Sequence, residues 1–213
     1  MSGDEPARGV FAFCCSEFVL YLIHIIYKTN NEGDSNLQIA ARDGLAKVAR
    51  EKALLPFHGF LAGIESNIQP IISLFPKWNI VDADRKWCAA FVYYCCVETG
   101  FKIPYSPDEC VSCSLAGCGG WEDFALGDNR IEYHLHNDKS FIPSGGGIIL
   151  YDRVFMNCEH DHIGIIIENK PLSIIVAEGN TFNDNISRVL ERNKDEHIRA
   201  YIRIPESFSY YAQ

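Results

Sequence analysis

This acidic sequence lacks a run of basic residues. Its 213 residues include 19 lysines and arginines against 28 acidic residues, which gives a net charge of −9. A protein that binds nucleic acid through the phosphate backbone needs a basic surface. We therefore expect no nucleic-acid partner.

The sequence also lacks a segment typical of a secretory signal or a membrane span. Its first residues, up to Pro6, are acidic where a signal peptide begins with positive charge. The apolar run from Phe11 to Tyr27 is interrupted by Glu17 and His24 and is short for a bilayer. We expect synthesis in the cytoplasm without a signal peptide, no membrane span, and a helix over residues 14–28 that contacts a partner protein or a second copy.

The cysteines do not form the pattern of a disulfide framework. Their number, nine, is odd, and two pairs are adjacent in sequence, Cys14-Cys15 and Cys95-Cys96. A chain of this length buries a core without cross-links. We therefore expect mostly reduced thiols, as in cytosolic proteins.

The order of patterns along the chain indicates an α+β fold, because helical patterns come first and strand patterns follow. Helices are predicted over residues 14–28, from Ser35 to about Leu55, around Ile71–Phe75, from Cys88 to Gly100 and near Trp121–Leu126. Strands are predicted at Gly147–Tyr151, His162–Ile167, Ser173–Ala177 and His197–Ile204. We expect the helices to pack on a C-terminal antiparallel sheet of about five or six strands.

The predicted helix that starts at Cys88 is apolar almost throughout and ends at Gly100, where a left-handed cap is favourable. A cysteine in the first helical turn lies where unpaired N–H groups and the positive end of the dipole favour an anion. Such a position lowers a thiol pKa, and the thiolate is the reactive form. Cys88 is therefore a candidate nucleophile, although a buried cysteine is also an ordinary packing residue. Cys95 and Cys96 are interpreted as packing residues.

A cysteine nucleophile needs a base and a third group that orients the base. His162 opens one predicted strand, and the strand Ser173–Ala177 follows after a turn. A hairpin closed around Lys170 would place Glu178 directly across from His162, with Asn180 on the same face. A slip of one residue would send Glu178 to the other face.

Three segments in this order resemble the CHAP family of cysteine amidohydrolases and peptidases, which is similar in architecture to papain and to the NlpC/P60 peptidases. The segments are Trp87–Val92, Asp161–Ile166 and Glu178–Thr181. Two further segments resemble family strands, one before the histidine and one closing the sheet: Pro143–Asp152 and Ile198–Ile204. The resemblance covers residues 45–205 and implies a papain-like CHAP fold with the nucleophile at a helix N-terminus.

The resemblance also implies roles for individual residues. Cys88 would be the nucleophile, and His162 the general base that later protonates the leaving amine. Glu178 would orient His162, with Asn180 as an alternative or auxiliary orienter. The Cys88 backbone N–H would be one oxyanion-hole donor. The reaction would be amide hydrolysis through a thioester, and the usual substrate of the family is peptidoglycan.

This sequence departs from the family in two respects. Some members bind calcium through carboxylates on both sides of the cysteine, whereas here Asp82 and Asp84 precede Cys88 and Ala90 stands after it. We therefore expect no metal and no cofactor. We also expect neither a wall-binding module nor a basic face in its place, so the protein would reach a wall after lysis or by dedicated secretion, or would cut a different amide.

Four alternatives stay open at this point. A structural zinc is the competing chemistry for a set of thiols and imidazoles, Cys110, Cys113, Cys118, Cys158, His160 and His162. Trp87 and Trp121 are candidates for substrate binding, with core packing as the alternative for Trp121. The substrate could be an amide outside the wall, or the protein could be a catalytically silent binding or regulatory protein. By domain, residues 1–44 are expected to form a helical extension, 45–205 the catalytic domain and 206–213 a tail.

Overall fold

Helices precede strands in the part of the chain that the structure describes. The computed structural model describes residues 41–75, 86–104 and 114–210, all within one compact unit that begins at Ile39. Its helices are α1 (Ala41–Leu54), α2 (Gln69–Ile72), α3 (Cys88–Thr99) and α4 (Cys118–Gly127). Its strands are β1 (Glu132–Leu135), β2 (Ile148–Tyr151), β3 (His162–Asn169), β4 (Ser173–Glu178), β5 (Arg188–Asn193) and β6 (Ile198–Arg203). The predicted α+β class is confirmed.

The strands form one antiparallel sheet in the order β1-β6-β2-β3-β4-β5. The four strands predicted from the sequence are β2, β3, β4 and β6, which form the centre of the sheet. The two edge strands, β1 and β5, carry charged residues among their apolar ones and are only partly buried. An edge strand is less buried than a central strand and tolerates charged residues, so the apolar pattern that predicts a strand from sequence is weak there.

Helix α3 is the most deeply buried helix of the described chain. All nine residues from Cys88 to Cys96 are buried, so the helix has no polar face over this length. It packs beside α1 and against β3. Gly100 ends it in a left-handed conformation with φ of 97°, which confirms the predicted glycine cap.

Two apolar clusters cover the two faces of the sheet. The helices lie on the face that carries Ile148, Leu150, Ile163, Ile165 and Ala177. The opposite face carries Ile149, Tyr151, Ile166, Ile174 and Val176. Because side chains alternate along a strand, His162 at the start of β3 lies on the second face. Its ring stands at the first residue of the strand, beside Tyr151 of the second cluster.

At both predicted boundaries of the catalytic domain, helix α1 at one end and Phe208 at the other pack into the same core. The expected boundary at residue 45 falls within α1, whose residues Leu45 and Ala49 are buried in the core. In the expected tail, Phe208 packs on Phe124 with 5.8 Å between ring centroids. The predicted helix over 14–28 and the cap at Ser35 lie outside the described residues. No helix in the described segments has both the length and the apolar character needed to cross a bilayer.

Candidate active site

The first residue of helix α3 is Cys88. The preceding residue, Trp87, caps the helix without a side-chain hydrogen bond. The N–H groups of the first turn are therefore not used by a capping side chain, and the positive end of the helix dipole faces the thiol. The Ala89 backbone N–H is one of the groups that favour the Cys88 thiolate.

The register of β3 and β4 differs from the predicted one. The connecting turn lies at Pro171-Leu172, where Lys170 N–H donates to Ser173 O at 3.0 Å, so the hairpin is not centred on Lys170. Glu168 pairs with Ile175 next to the turn. After a bulge, Ile165 pairs with Ala177. Glu178 thus comes opposite Gly164 and not His162, which corrects the predicted pairing.

The bulge at Ile167 decides on which face Glu178 lies. The turn alone would set Glu178 opposite Ile165, whose side chain points to the helices. The one-residue shift at the bulge returns Glu178 to the face of His162. The predicted face is therefore correct, although the predicted partner is wrong.

His162 and Glu178 form a buried hydrogen bond. His162 Nε2 lies 2.8 Å from Glu178 Oε2, and both side chains are fully buried. Arg192 of β5 completes the arrangement, because its Nε donates to Glu178 Oε1 and its Nη2 to Oε2, both at 2.7 Å. A bidentate guanidinium fixes both oxygens of the carboxylate and so sets its orientation toward the imidazole.

Aromatic rings surround the imidazole and the guanidinium. Tyr151 stacks beside His162 at 6.1 Å between centroids, and Phe155 meets the ring edge-on at 4.7 Å. The Arg192 guanidinium lies over Tyr151, Phe155 and Phe182 at 5.5, 5.0 and 5.4 Å. Phe182 is half exposed and has a φ of 57°, a strained conformation for a bulky residue. The rings keep water away from the charged groups, which strengthens their mutual attraction.

Cys88 and His162 are electrostatically paired. Burial alone would lower the pKa of His162, but the Glu178 charge and the Cys88 thiol raise it to about 9. The pKa of Cys88 lies well below its usual value; the largest cause is the Cys118 thiol, and His162 adds to it despite the opposing effect of burial. Glu178 uses Nε2 of His162, so Nδ1 is the nitrogen left for the thiol. No described atom makes a hydrogen bond of normal geometry to Nδ1.

Opposite charges alternate through the four groups of the site. Burial would raise the pKa of Glu178, but His162 and Arg192 hold it below the usual value. The favoured state is then a Cys88 thiolate, an imidazolium, a carboxylate and a guanidinium in sequence, with no net charge. A thiolate beside a protonated imidazole supplies a nucleophile and a proton donor at one place.

Cys118, the first residue of helix α4, is also part of this site. Its sulfur lies 3.7 Å from that of Cys88. In the sequence, Cys118 was a candidate zinc ligand only. The helix was predicted near Trp121–Leu126, three residues after Cys118, so the sequence did not place this thiol at a helix start. Arg192 gave no such signal, since β5 was not predicted.

Asn180 is close in sequence to Glu178 but does not reach the imidazole by a hydrogen bond. Its Oδ1 accepts from the Asn185 N–H at 3.0 Å, and its Nδ2 donates to Asn183 Oδ1 at 3.2 Å. It also adopts a left-handed conformation, with φ of 50°. The expected orienting role therefore falls to Glu178, and Asn180 orders the loop after β4.

The two tryptophans expected at a substrate groove lie in the core. Trp87 is fully buried, and its Nε1 donates to Asn185 Oδ1 at 3.3 Å. Trp121 is also fully buried, and its Nε1 donates to Leu115 O at 3.0 Å. Neither ring is accessible to a substrate in this structure, so the expectation for both is corrected to packing.

The remaining thiols and imidazoles of the zinc alternative are dispersed. His160 Nε2 contacts Glu122 Oε2, and Cys158 is exposed on the surface. Cys110, Cys113, Asp82 and Asp84 lie outside the described residues. In the segments that are described, no group of three or more metal-ligating side chains occurs. Burial raises the pKa of Cys95 and Cys96, which suits packing thiols.

Comparison with models of known protein families gives no match, and comparison with curated proteins gives none either. A function for this protein is therefore inferred from the geometry and electrostatics of the described residues.

Gly164 provides the space into which Glu178 fits. A Cβ atom there would lie 2.5 Å from Val176 Cγ1 and 3.0 Å from Glu178 Cγ. We expect Gly164→Ala to lower the free energy of unfolding by about 1–3 kcal/mol, as overpacking does, and to slow alkylation of Cys88. Urea denaturation and a thiol-alkylation time course measure both effects.

Gly44→Ala in α1 is the matched control, because its nearest contact is the Thr99 Cγ2 methyl at 3.2 Å. An alanine is favourable within a helix, so this variant is expected to be at least as stable as the wild type. Equal stability of the Gly164→Ala variant and the wild type would contradict the assigned packing around Glu178.

Proposed function

We propose that this protein is a cysteine-dependent amide hydrolase with a papain-like CHAP fold and that it cleaves peptidoglycan. The observation that carries the proposal is the buried pairing of Cys88 with His162, which is in turn hydrogen-bonded to Glu178. A thiol kept only for packing needs neither an imidazole nor a carboxylate beside it. The resemblance of the three sequence segments to the CHAP family supports the same assignment.

In the first step, the Cys88 thiolate attacks the amide carbonyl and a tetrahedral oxyanion forms. The Cys88 backbone N–H at the start of α3 is positioned to stabilise this oxyanion. The C–N bond then breaks, and His162 gives its proton to the departing amine. A thioester remains on Cys88, and His162 is neutral.

In the second step, water attacks the thioester while neutral His162 takes the proton from that water. The C–S bond breaks, the carboxylic acid leaves, and the thiolate and imidazolium return. Glu178 keeps the imidazole in one orientation throughout and stabilises its protonated form, as the third member of a catalytic triad does. Arg192 in turn keeps Glu178 ionised and oriented.

The arrangement of elements also supports the CHAP assignment. The family places its cysteine at the start of a helix and its histidine at the start of a strand in an antiparallel sheet. Here α3 begins at Cys88 and β3 begins at His162. α3 packs against β3, and Cys88 and His162 each shift the pKa of the other.

The acidic character of the chain favours a second candidate, an amide hydrolase or cysteine protease with a substrate outside the cell wall. The net charge is −9 and no basic run is present, whereas wall-degrading enzymes commonly hold their insoluble substrate through an added module or a basic face. In the peptidoglycan assignment the protein is made in the cytoplasm and reaches the wall after release or delivery.

Digestion of purified peptidoglycans, followed by mass spectrometry of the soluble fragments, tests the proposal. We expect new amino groups, on glycine or on a stem-peptide amino acid for an endopeptidase and on L-alanine for an amidase. The Cys88→Ala variant is expected to release no fragments, since it lacks the thiolate that attacks the amide. A set of peptide and amide substrates is incubated in parallel.

The outcomes separate the candidates. Wall fragments that depend on Cys88 support the proposed function. Intact walls with cleaved peptides or amides overturn the wall substrate and support the second candidate. No cleavage of any substrate, together with slow alkylation of Cys88, overturns the enzymatic assignment in favour of a silent papain-like protein.

A further inference from the structure

Two helices direct their N-terminal cysteines at each other. Cys88 begins α3 and Cys118 begins α4, and their sulfur atoms are 3.7 Å apart. Neither helix has a side-chain hydrogen bond at its N-cap, and each of the two cysteines is the first residue of its helix, at the positive end of the helix dipole. Two dipoles of the same sign thus act on this pair, which favours negative charge on a sulfur.

The position of α4 is fixed by charged groups from another element. Glu122 of α4 accepts two hydrogen bonds from Arg199 of β6, at 2.7 and 3.0 Å. Arg199 also donates to Asp152 at 3.1 Å, next to the end of β2. The two sulfurs are therefore held together by contacts that do not involve either thiol.

Both cysteines of the pair retain some exposure to solvent. Cys88 is 6% exposed and Cys118 is 8% exposed, whereas Cys95 and Cys96 are fully buried. Hydrogen peroxide is small and uncharged, so it is suited to reach such a pair. A sulfur bond needs about 2.05 Å between the atoms, which the two side chains reach by moving roughly 1.6 Å closer together.

We propose that Cys118 is a resolving thiol, which forms a reversible disulfide with Cys88 when a peroxide oxidises the site. The Cys88 thiolate attacks one peroxide oxygen, the O–O bond breaks, and a sulfenic acid and hydroxide form. The Cys118 sulfur then attacks the sulfenic sulfur, the S–O bond breaks, and water leaves. Overall, two thiols and one hydrogen peroxide give one disulfide and two waters.

The disulfide would switch off the proposed hydrolysis. Its formation does not depend on the proposed function, and only this regulatory effect rests on that function. While Cys88 is bonded to Cys118 it has no free thiolate, so no amide is attacked. The same bond prevents oxidation of Cys88 to the sulfinic acid, which ordinary thiols do not reverse. Reduction by a dithiol restores the nucleophile.

The formation of the bond is tested without any substrate. The full chain is treated with equimolar hydrogen peroxide at pH 7, its free thiols are blocked with N-ethylmaleimide, and unreduced peptides are mapped by mass spectrometry. We expect the Cys88–Cys118 peptide to be the main cross-link and to disappear after dithiothreitol. In Cys118→Ser treated with an excess of peroxide, which supplies the second oxidising equivalent, we expect Cys88 to accumulate as sulfinic acid. Cys158→Ser, which removes an exposed thiol, is the matched control and should keep the cross-link.

Failure of this inference and failure of the proposed function are distinguishable. A cross-link without amide hydrolysis supports the resolving thiol and overturns the function. Hydrolysis that dithiothreitol restores at least tenfold after peroxide, but not in Cys118→Ser, supports both. Cross-links spread evenly over the cysteines, or the absence of the Cys88–Cys118 peptide in a peroxide-inactivated protein, would overturn the inference.

Discussion

His162→Ala is expected to slow the alkylation of Cys88 by iodoacetamide at pH 6, by at most about 100-fold. A thiol with an ordinary pKa near 8.5 is only about 0.3% thiolate at pH 6. The Cys88 pKa lies well below its usual value, partly through His162. Loss of the imidazolium removes that part of the stabilisation, and burial of the thiol then opposes ionisation.

The same ion pair predicts an unusual pH profile. Alkylation of wild-type Cys88 is expected to rise less steeply between pH 6 and pH 8 than that of free cysteine, which in the same buffer becomes about tenfold more reactive per pH unit, because the pKa of Cys88 is lowered. His162 has its pKa raised to about 9, so amide hydrolysis is expected to fall above that pH, where the leaving amine loses its proton donor.

Peptide mapping after timed alkylation measures the rate at each cysteine separately. His197→Ala is the matched control, because His197 Nδ1 bonds to the backbone oxygen of Asp152 and not to the thiol. Equal slowing by His162→Ala and His197→Ala would contradict the assigned ion pair of Cys88 and His162. Uniform slow labelling of all nine cysteines would contradict it as well.

Arg192→Met is expected to lower the free energy of unfolding by about 3 kcal/mol, at the low end of the range for breaking a buried ion pair. The low end applies because the Arg192 side chain remains 13% exposed while Glu178 is fully buried. Methionine keeps much of the packing on Tyr151 and Phe155 but provides no donor. The Glu178 carboxylate then loses two charge-assisted hydrogen bonds, and only His162 opposes its burial.

Arg188→Met is a matched control on the same strand. Arg188 also lies near the Phe182 ring, at 5.7 Å, but its ion pair with Asp184 is largely exposed. A surface pair contributes at most about 1 kcal/mol. Urea unfolding curves of both variants, fitted with the same dependence of the unfolding free energy on urea concentration, give the two losses of stability. A smaller loss for Arg192→Met than for Arg188→Met would contradict the structural role assigned to Arg192.

The Arg192→Met variant also tests whether the arginine acts on the site through Glu178. Without the guanidinium, the pKa of Glu178 is expected to rise, and the carboxylate is no longer held in one orientation toward His162. The alkylation profile of Cys88 should then shift toward that of an ordinary thiol. Arg192→Lys restores the charge but not the bidentate geometry, so it is expected to restore the profile only in part.

Local patterns were sufficient for the central elements of the fold. Helix α3 could be predicted because an uninterrupted apolar run ends at a glycine, and the central strands because apolar residues cluster between turn signals. These features depend on burial and backbone conformation within a few residues. β1 and β5 were missed because an edge strand pairs with a neighbour along one edge only, is less buried and therefore tolerates charged residues.

The candidate site was only partly predictable for the same reason. The positions of Cys88 at a helix start and of His162 at a strand start are local properties. The partner of His162 depended on a bulge at Ile167, which no local pattern indicated. Arg192 and Cys118 lie 14 and 30 residues from the groups they contact, so only the folded chain shows those contacts.

The sequence by itself determined the α+β class, the central strands and the residue types of a thiol-based site, because each follows from short-range burial and backbone preference. Tertiary structure alone decided that Glu178 faces His162, that Arg192 holds Glu178, and that Cys118 faces Cys88. Those contacts depend on strand register and on the docking of two helix ends, both of which are set by packing across the whole domain.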